Sequence, residues 1–555
     1  MNANILIYTL FLSFLVTQVS YAQRTFATDP EREIIVQFTD EVLTHKNEGV
    51  SGRFSDYTFT SNLIKHNLDS VGIETISTLF PEFKKEDRLV ETRNGKQVTL
   101  SDWSNTMILH LPANRSREKF IELLNQLPEV VYAEANVQGS SEVIYDFRDE
   151  YDSGSEAEAF MPVTPNDPNF NRQWALKNTG TSIQGSGTPD ADIDADLAWD
   201  ITTGSSSIKI AIIDQGVQNS HPEFNGKITG YPTFYSNHGT MVAGIAAAYG
   251  NNSAGITGVA YSASIIDEWT GYQSASDLAS AVTNASQQGA HVLNASWGID
   301  DYSVTLRKAI RDAYLLNQVF ITSAGNSEGH KYPQHIRDGM ITVSGTTNND
   351  GKFSNSSTGS WVDVAAPAGE FSEQNDRIYS TLPGGNYGYS GAGTSYAAPH
   401  VSGIAALLLS ENPNLYNDDI ENLIEISAED INNNGFDNTF GHGRVNAYEA
   451  LKLLQSPYVL NYGSTTGGSF YSQSGGFPMR TYDVSGLSSG LQYYVKRVEV
   501  RKNISFSYLD EPNVWCRGVE SVGWTKEEDH GGAKRNYGQG FCEVVPGTLT
   551  NTSAT

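Results

Sequence analysis

The sequence predicts an α/β domain with a mainly parallel sheet flanked by helices, between an α+β segment and a small β-rich tail. Three observations lead there. From about residue 164 to 455, β-branched apolar runs alternate with helices of small residues, the pattern of buried parallel strands and their covering helices. Before that stretch lie short strands, such as Ile34-Ile35-Val36-Gln37-Phe38 and Met107-Ile108-Leu109-His110-Leu111, and a helical pattern over 116–127. After it, Gly, Ser and Tyr rise and Tyr493-Tyr494-Val495-Lys496-Arg497-Val498-Glu499-Val500 alternates as an exposed strand does.

Taken from the N-terminus, residues 1–22 read as a signal peptide. Residues 5–19 are largely apolar but shorter than the roughly 18 residues a membrane span needs, and Ser20-Tyr21-Ala22 supplies small residues at a cleavage site. No cysteine follows to carry a lipid. A secreted protein, extracellular or periplasmic, is expected, with no membrane anchor. Residues 23–163 form the next segment. Phe120, Ile121, Leu123, Leu124 and Leu127 fall on or near one face of its helix. Residues 139–160 carry Glu142, Asp146, Asp149, Glu150, Asp152, Glu156 and Glu158, the composition of a solvated, cleavable linker rather than a metal site. Across the chain 64 acidic residues outnumber 36 basic ones, giving −28. That balance disfavours nucleic acid and anionic membranes as partners.

The chemistry is concentrated at three places. Ser395 lies in Gly391-Ala392-Gly393-Thr394-Ser395-Tyr396-Ala397-Ala398-Pro399-His400, just before an apolar helix over 401–409, with Pro399 placed near that helix's first turn. A serine there has small neighbours and the unpaired N–H groups of a helix start. Ile208-Lys209-Ile210-Ala211-Ile212-Ile213 reads as a buried strand ending in Asp214, at the edge where α/β sheets place ligands. Asn237-His238-Gly239-Thr240-Met241 opens a helix of small residues. A serine attacks well only when an imidazole takes its proton and a carboxylate fixes that imidazole. Individually Ser395 could be a helix cap, Asp214 a loop carboxylate and His238 a capping residue. Together they stand in the chain order Asp, His, Ser.

With these motifs the chain resembles the subtilisin-like serine proteases, the subtilases. Two further stretches match, Val319-Phe320-Ile321-Thr322-Ser323-Ala324-Gly325-Asn326 and His291-Val292-Leu293-Asn294-Ala295-Ser296-Trp297-Gly298. The resemblance implies a serine endopeptidase in which Asp214, His238 and Ser395 form the triad and Asn326 holds the oxyanion. Ser296, Trp297 and Gly298 would form the edge that pairs with the substrate backbone and walls its first pocket, with Ala324 and Gly325 beside them. It also implies that 23–163 is a propeptide, a folding aid and intramolecular inhibitor removed by self-cleavage, and that 164–455 is the catalytic domain. Some positions depart from the family pattern: Asn237 and Met241 flank the histidine unusually, Tyr396 replaces a common methionine, and the stretch between Asp214 and His238 is short. None removes a group the mechanism needs.

No cofactor is expected for catalysis, since no His-Glu-x-x-His or paired-cysteine metal pattern is present. Residues 251–256 resemble the family's structural calcium loop, with Glu223, Asn252, Ala254 and Ile256 as its implied ligands, although Asn-Asn-Ser is also ordinary turn composition. The loop 432–437 is a weaker candidate. Residues 456–555 contain both cysteines, Cys516 and Cys542. In a secreted chain these are expected to form one disulfide, the alternative being buried free thiols. The competing functional readings are a catalytically silent scaffold that binds a ligand, and a processing protease of narrow specificity.

Overall fold

The computed structural model describes residues 29–455 except 40–41, 46–50, 81–82, 84, 114, 141–163, 231–234, 272, 328–332, 334–338, 372–373 and 433–435, and adds the short strands Val498–Glu499 and Phe541–Cys542. The signal segment, most of the acidic linker, and Cys516 with the body of the C-terminal tail lie outside the described residues. The described chain divides into two compact units, Met1–Arg88 with Asp102–Ala135 and Leu89–Ser101 with Asn136–Thr555.

The first unit is an antiparallel α+β layer. Glu33–Phe38 pairs with Thr106–His110 on one side and Val130–Ala135 on the other, and Thr75–Thr78 and Ser51–Arg53 extend the sheet to five strands. Ile34, Val36 and Phe38 alternate onto the face that meets the helices. The expected helix runs Arg117–Leu124, started by Ser116, whose side chain accepts from the Lys119 amide. It buries Phe120 and Leu124, each contributing roughly 1.5–3 kcal/mol. Leu123, expected near the same face, is 36% exposed, because it lies one residue off the stripe.

The second unit is built on a seven-stranded sheet in the order Ile228–Gly230, Ser264–Trp269, Lys209–Asp214, Val292–Ala295, Val319–Ser323, Ile341–Thr346, Val364–Pro367. Every neighbouring pair is parallel. The first strand in sequence, Lys209–Asp214, is where the order reverses, so its C-terminal end opens the crevice in which such sheets bind ligands. Ile210 and Ile212 point into a core shared with the helices Asn237–Ala247 and Thr394–Glu411. Both helices are apolar nearly all round and buried along their length, as an interior helix must be.

Two expectations change. Pro399 does not lie in a first turn before the helix; it sits inside Thr394–Glu411. The region before the catalytic domain also contributes an unexpected hairpin, Leu89–Glu91 with Gln97–Thr99, which belongs to the second unit. Among the described residues, no helix is long and apolar enough to cross a membrane.

Candidate active site

Asp214 ends its strand and His238 is the second residue of its helix, whose cap Ser236 accepts from the Gly239 amide at 2.9 Å. His238 Nδ1 lies 2.9 Å from both carboxylate oxygens of Asp214. Both side chains are completely buried, so the carboxylate can fix the ring without competition from water. The close approach depends on Gly239. A Cβ there would stand 2.4 Å from the Gly216 carbonyl oxygen, forcing the helix away from the Asp214 loop.

Ser395 is the second residue of Thr394–Glu411. A proline four residues later cannot donate to the Ser395 carbonyl. That carbonyl instead accepts from Ser296 Oγ at 2.8 Å, which ties the serine's backbone to the strand edge. Ser395 Oγ donates to the Ser296 carbonyl at 3.4 Å. His238 Nε2 is buried and has no hydrogen-bond partner among the described residues. The Asp–His half of the constellation is therefore joined, and the Ser–His hydrogen bond is not made in this state; such contacts commonly tighten only with substrate bound. The ring of Tyr396 stands 5.7 Å from that of His238.

Asn326 follows Gly325, whose φ of +99° turns the chain sharply after the strand. Its Oδ1 accepts from both the amide and hydroxyl of Thr394, each at 2.8 Å. Thr394 Oγ1 in turn accepts from the Gly325 amide at 3.1 Å. With its oxygen so committed, the Asn326 amide presents Nδ2 toward Gly393, where an added Cβ would lie 3.2 Å away. Thr394, an unremarked residue beside the serine, is thus what orients Asn326. Ala324 is buried, its amide donating to the Val343 carbonyl.

Gly298–Ile299 pairs antiparallel with Gly139–Ser140, Ser140 facing Gly298. On its other side the same segment is bonded through Gly139 N to the Gln273 carbonyl at 2.8 Å, and through the Val137 carbonyl to the Ala275 amide at 2.9 Å. Residues 139–140, read in the sequence as the start of the linker, are therefore a strand inserted between two edges, because main-chain pairing there does not depend on side-chain character. Trp297 departs from its expected place on a pocket wall. Its indole is 1% exposed, donates to the Ile213 carbonyl at 2.8 Å and meets Phe320 edge-on. It braces the edge from inside.

Of the residues expected to hold calcium, Glu223 and Asn252 are hydrogen-bonded to each other, and Asp167 lies at the same loop. Glu223 accepts from Asn252 Nδ2 at 3.0 Å, from the Tyr387 hydroxyl at 2.8 Å and from the Ile256 amide at 3.4 Å. Asp167 accepts from the amides of Asn251 and Asn252. Burial pushes both carboxyls above the usual range, and the charge of Asp167 adds to the rise at Glu223. Two mutually repelling carboxylates are hard oxygen donors of the kind calcium takes, while the Asn252 amide turns its nitrogen to Glu223 and its oxygen to the Ala254 amide. Asp167 was missed because it is a single acid in Asn166-Asp167-Pro168, far from the loop in sequence; only the fold brings it there. In the weaker loop, Asp437 caps its own turn through the amides of Thr439 and Phe440.

Residues 205–443 match the family model described as the subtilase family. The chain is 36% identical over 349 residues to a thermophilic serine proteinase of Bacillus sp. (strain AK1), covering 60% of this chain and 76% of the relative. It is 39% identical over 305 residues to thermitase of Thermoactinomyces vulgaris, covering 52% of this chain and 99% of the relative. The chain belongs to the subtilase family. This subtilase also shares its fold with the solved structure of fervidolysin from Fervidobacterium pennivorans, at a TM-score of 0.54 and 23% identity, over 76% of this chain and 61% of that one. As a subtilase it is a serine endopeptidase that acts on proteins or peptides and needs no catalytic cofactor.

Proposed function

We propose that this subtilase is made as a secreted zymogen and hydrolyses peptide bonds through Asp214, His238 and Ser395. In this reading Ser395 Oγ attacks the substrate carbonyl carbon as its proton passes to His238 Nε2, and Asp214 stabilises the imidazolium. Asn326 Nδ2 and the Ser395 backbone N–H hold the oxyanion. The C–N bond breaks as His238 returns the proton to the leaving amine. His238 then accepts a proton from water, which attacks the acyl ester and frees Ser395. The observation that carries the reading is the buried Asp214–His238 contact beside a serine whose backbone is tied to the substrate edge.

The N-terminal segment acts here as propeptide, with residues 137–140 occupying the edge that a substrate would use. Calcium, when bound, would rigidify the loop 251–256 through Asp167, Glu223 and Asn252, with the Ala254 and Ile256 carbonyls as further ligands. Secretion follows from the apolar N-terminus, and Cys516 with Cys542 forms one disulfide in the tail.

The test is casein hydrolysis by the purified full-length chain, with intact mass followed over time, beside Ser395→Ala. Wild type is expected to shed its N-terminal segment and then digest casein, while the variant stays whole and inert. Casein hydrolysis by the variant would remove Ser395 from its role.

A further inference from the structure

One stretch of the N-terminal segment, Leu89–Ser101, packs as part of the catalytic unit although the residues on both sides of it do not. It is a hairpin in which Leu89 faces Thr99, Val90 faces Val98 and Glu91 faces Gln97. Its turn is closed by Gly95 N to the Thr92 carbonyl and Thr92 N to the Lys96 carbonyl. At the tip, Arg93 Nη2 donates to the Leu415 carbonyl at 2.5 Å and Asn94 Nδ2 to the Asn414 carbonyl at 3.0 Å. At the base, the Ser101 amide donates to both carboxylate oxygens of Asp312 at 3.0 Å, and its hydroxyl to Oδ1 at 2.9 Å.

The seat is built independently of the hairpin. Asn317 Nδ2 also donates to the Leu415 carbonyl, Asn317 Oδ1 accepts from the Asn417 amide at 2.7 Å, and the Tyr314 hydroxyl donates to Asp418 at 2.8 Å. It offers acceptors, two carbonyls and the Asp312 carboxylate, which is 6% exposed with the hairpin seated, and the hairpin brings donors to each. It is also remote from the chemistry. Asp312 lies in the last turn of Val304–Leu315, which leads into the start of Val319–Ser323. Burial, then the charges of Arg93 and Lys209, push His291 down to about 4, and Lys209 and His291 likewise stand at strand beginnings. Asp214 and Asn326 stand at the opposite ends of their strands.

We propose that the Leu89–Ser101 hairpin is a latch, and that Asp312 with the Asn414 and Leu415 carbonyls is its docking site on the catalytic unit. The latch rests on the propeptide reading above and adds to it a second point of attachment, separate from the substrate edge. Two attachments on one fragment raise the effective concentration of each for its own site. After the linker is cut, the fragment stays bound and the enzyme stays inhibited until both points have let go.

The experiment uses the full chain carrying Ser395→Ala, nicked by brief trypsin treatment at Arg148 in the linker, then run on size exclusion at falling concentration. The fragments should co-elute, and adding Arg93→Ala with Asn94→Ala should make them separate at a concentration at least about tenfold higher. Equal separation overturns the latch. In the active chain the same pair of substitutions should shorten the delay between linker cleavage and casein hydrolysis and leave the final rate unchanged. A delay that exists but ignores the substitutions sinks the latch alone; a chain with no delay and no inhibition by its fragment sinks the propeptide reading and the latch together. Should the double variant fail to fold, Asp312→Asn, which keeps the shape and one acceptor but removes the charge, is read by the same separation and must weaken co-elution severalfold.

Discussion

Asn326 carries a sharp consequence because its orientation is set by neighbours rather than by its own surroundings. Thr394 takes its oxygen through two hydrogen bonds, so the amide nitrogen is aimed before any substrate arrives, and preorganised donors are worth most in a dry site. Asn326→Ala should lower kcat by about 100- to 1,000-fold, roughly 2.7–4 kcal/mol of barrier, with KM little changed. Steady-state kinetics on a peptide substrate check it; a loss confined to KM would assign Asn326 to substrate binding instead. At this scale the sequence was informative because the proposed chemistry constrains residue type. Asp214 and His238 stand out at a strand end and a helix start. Thr394 does not, since a threonine before the serine has many possible uses and its partner lies far away in the chain.

At the scale of elements, the loop 251–256 is held by groups from two separate places, Asp167 and Glu223, with Glu223 itself held by the Tyr387 hydroxyl. Closing such a loop around a divalent cation stabilises the folded state by mass action, about 2.7 kcal/mol at a hundredfold excess over Kd. Full-length Ser395→Ala should therefore melt several degrees lower in EDTA than in millimolar calcium, and Asp167→Asn should shrink that gap. Identical melting curves would leave the loop as a turn held by hydrogen bonds alone. Elements differed in how readable they were. The long apolar strands and the small-residue helix 237–247 were legible from composition, but only 401–409 of the helix Thr394–Glu411 was, and the strands of Leu89–Glu91 and Gln97–Thr99 are too short for a pattern to emerge. Their one signal was Asn94-Gly95, a turn dipeptide. Pro399 misled for a different reason: its missing hydrogen bond is made good by Ser296, a residue distant in sequence.

For the whole molecule, net acidity meets an acidic pair, Asp192 buried and Asp194 half-buried. Burial pushes Asp192 up to about 7 and Asp194 up to about 6, against about 4 in an unfolded chain. Between pH 4 and 7 the folded state therefore holds protons the unfolded chain has released. This contribution is full below pH 4 and is lost as pH rises to 7, on the order of a few kcal/mol. Asp192→Asn in the Ser395→Ala background should flatten that part of the slope, read as urea midpoints from pH 4.5 to 8; a slope matching the parent would show that Asp192 titrates as an ordinary carboxylate. The pairing of Gly139–Ser140 with Gly298–Ile299 reaches further still. On the zymogen reading proposed above, a mutant library at this edge, made to alter which peptides the enzyme prefers, would also alter how the chain receives its own residues. Selection on such a library would act first on whether each clone can mature, and only the survivors would compete on the intended substrate. Varying residues 137–140 alongside the edge would separate the two pressures.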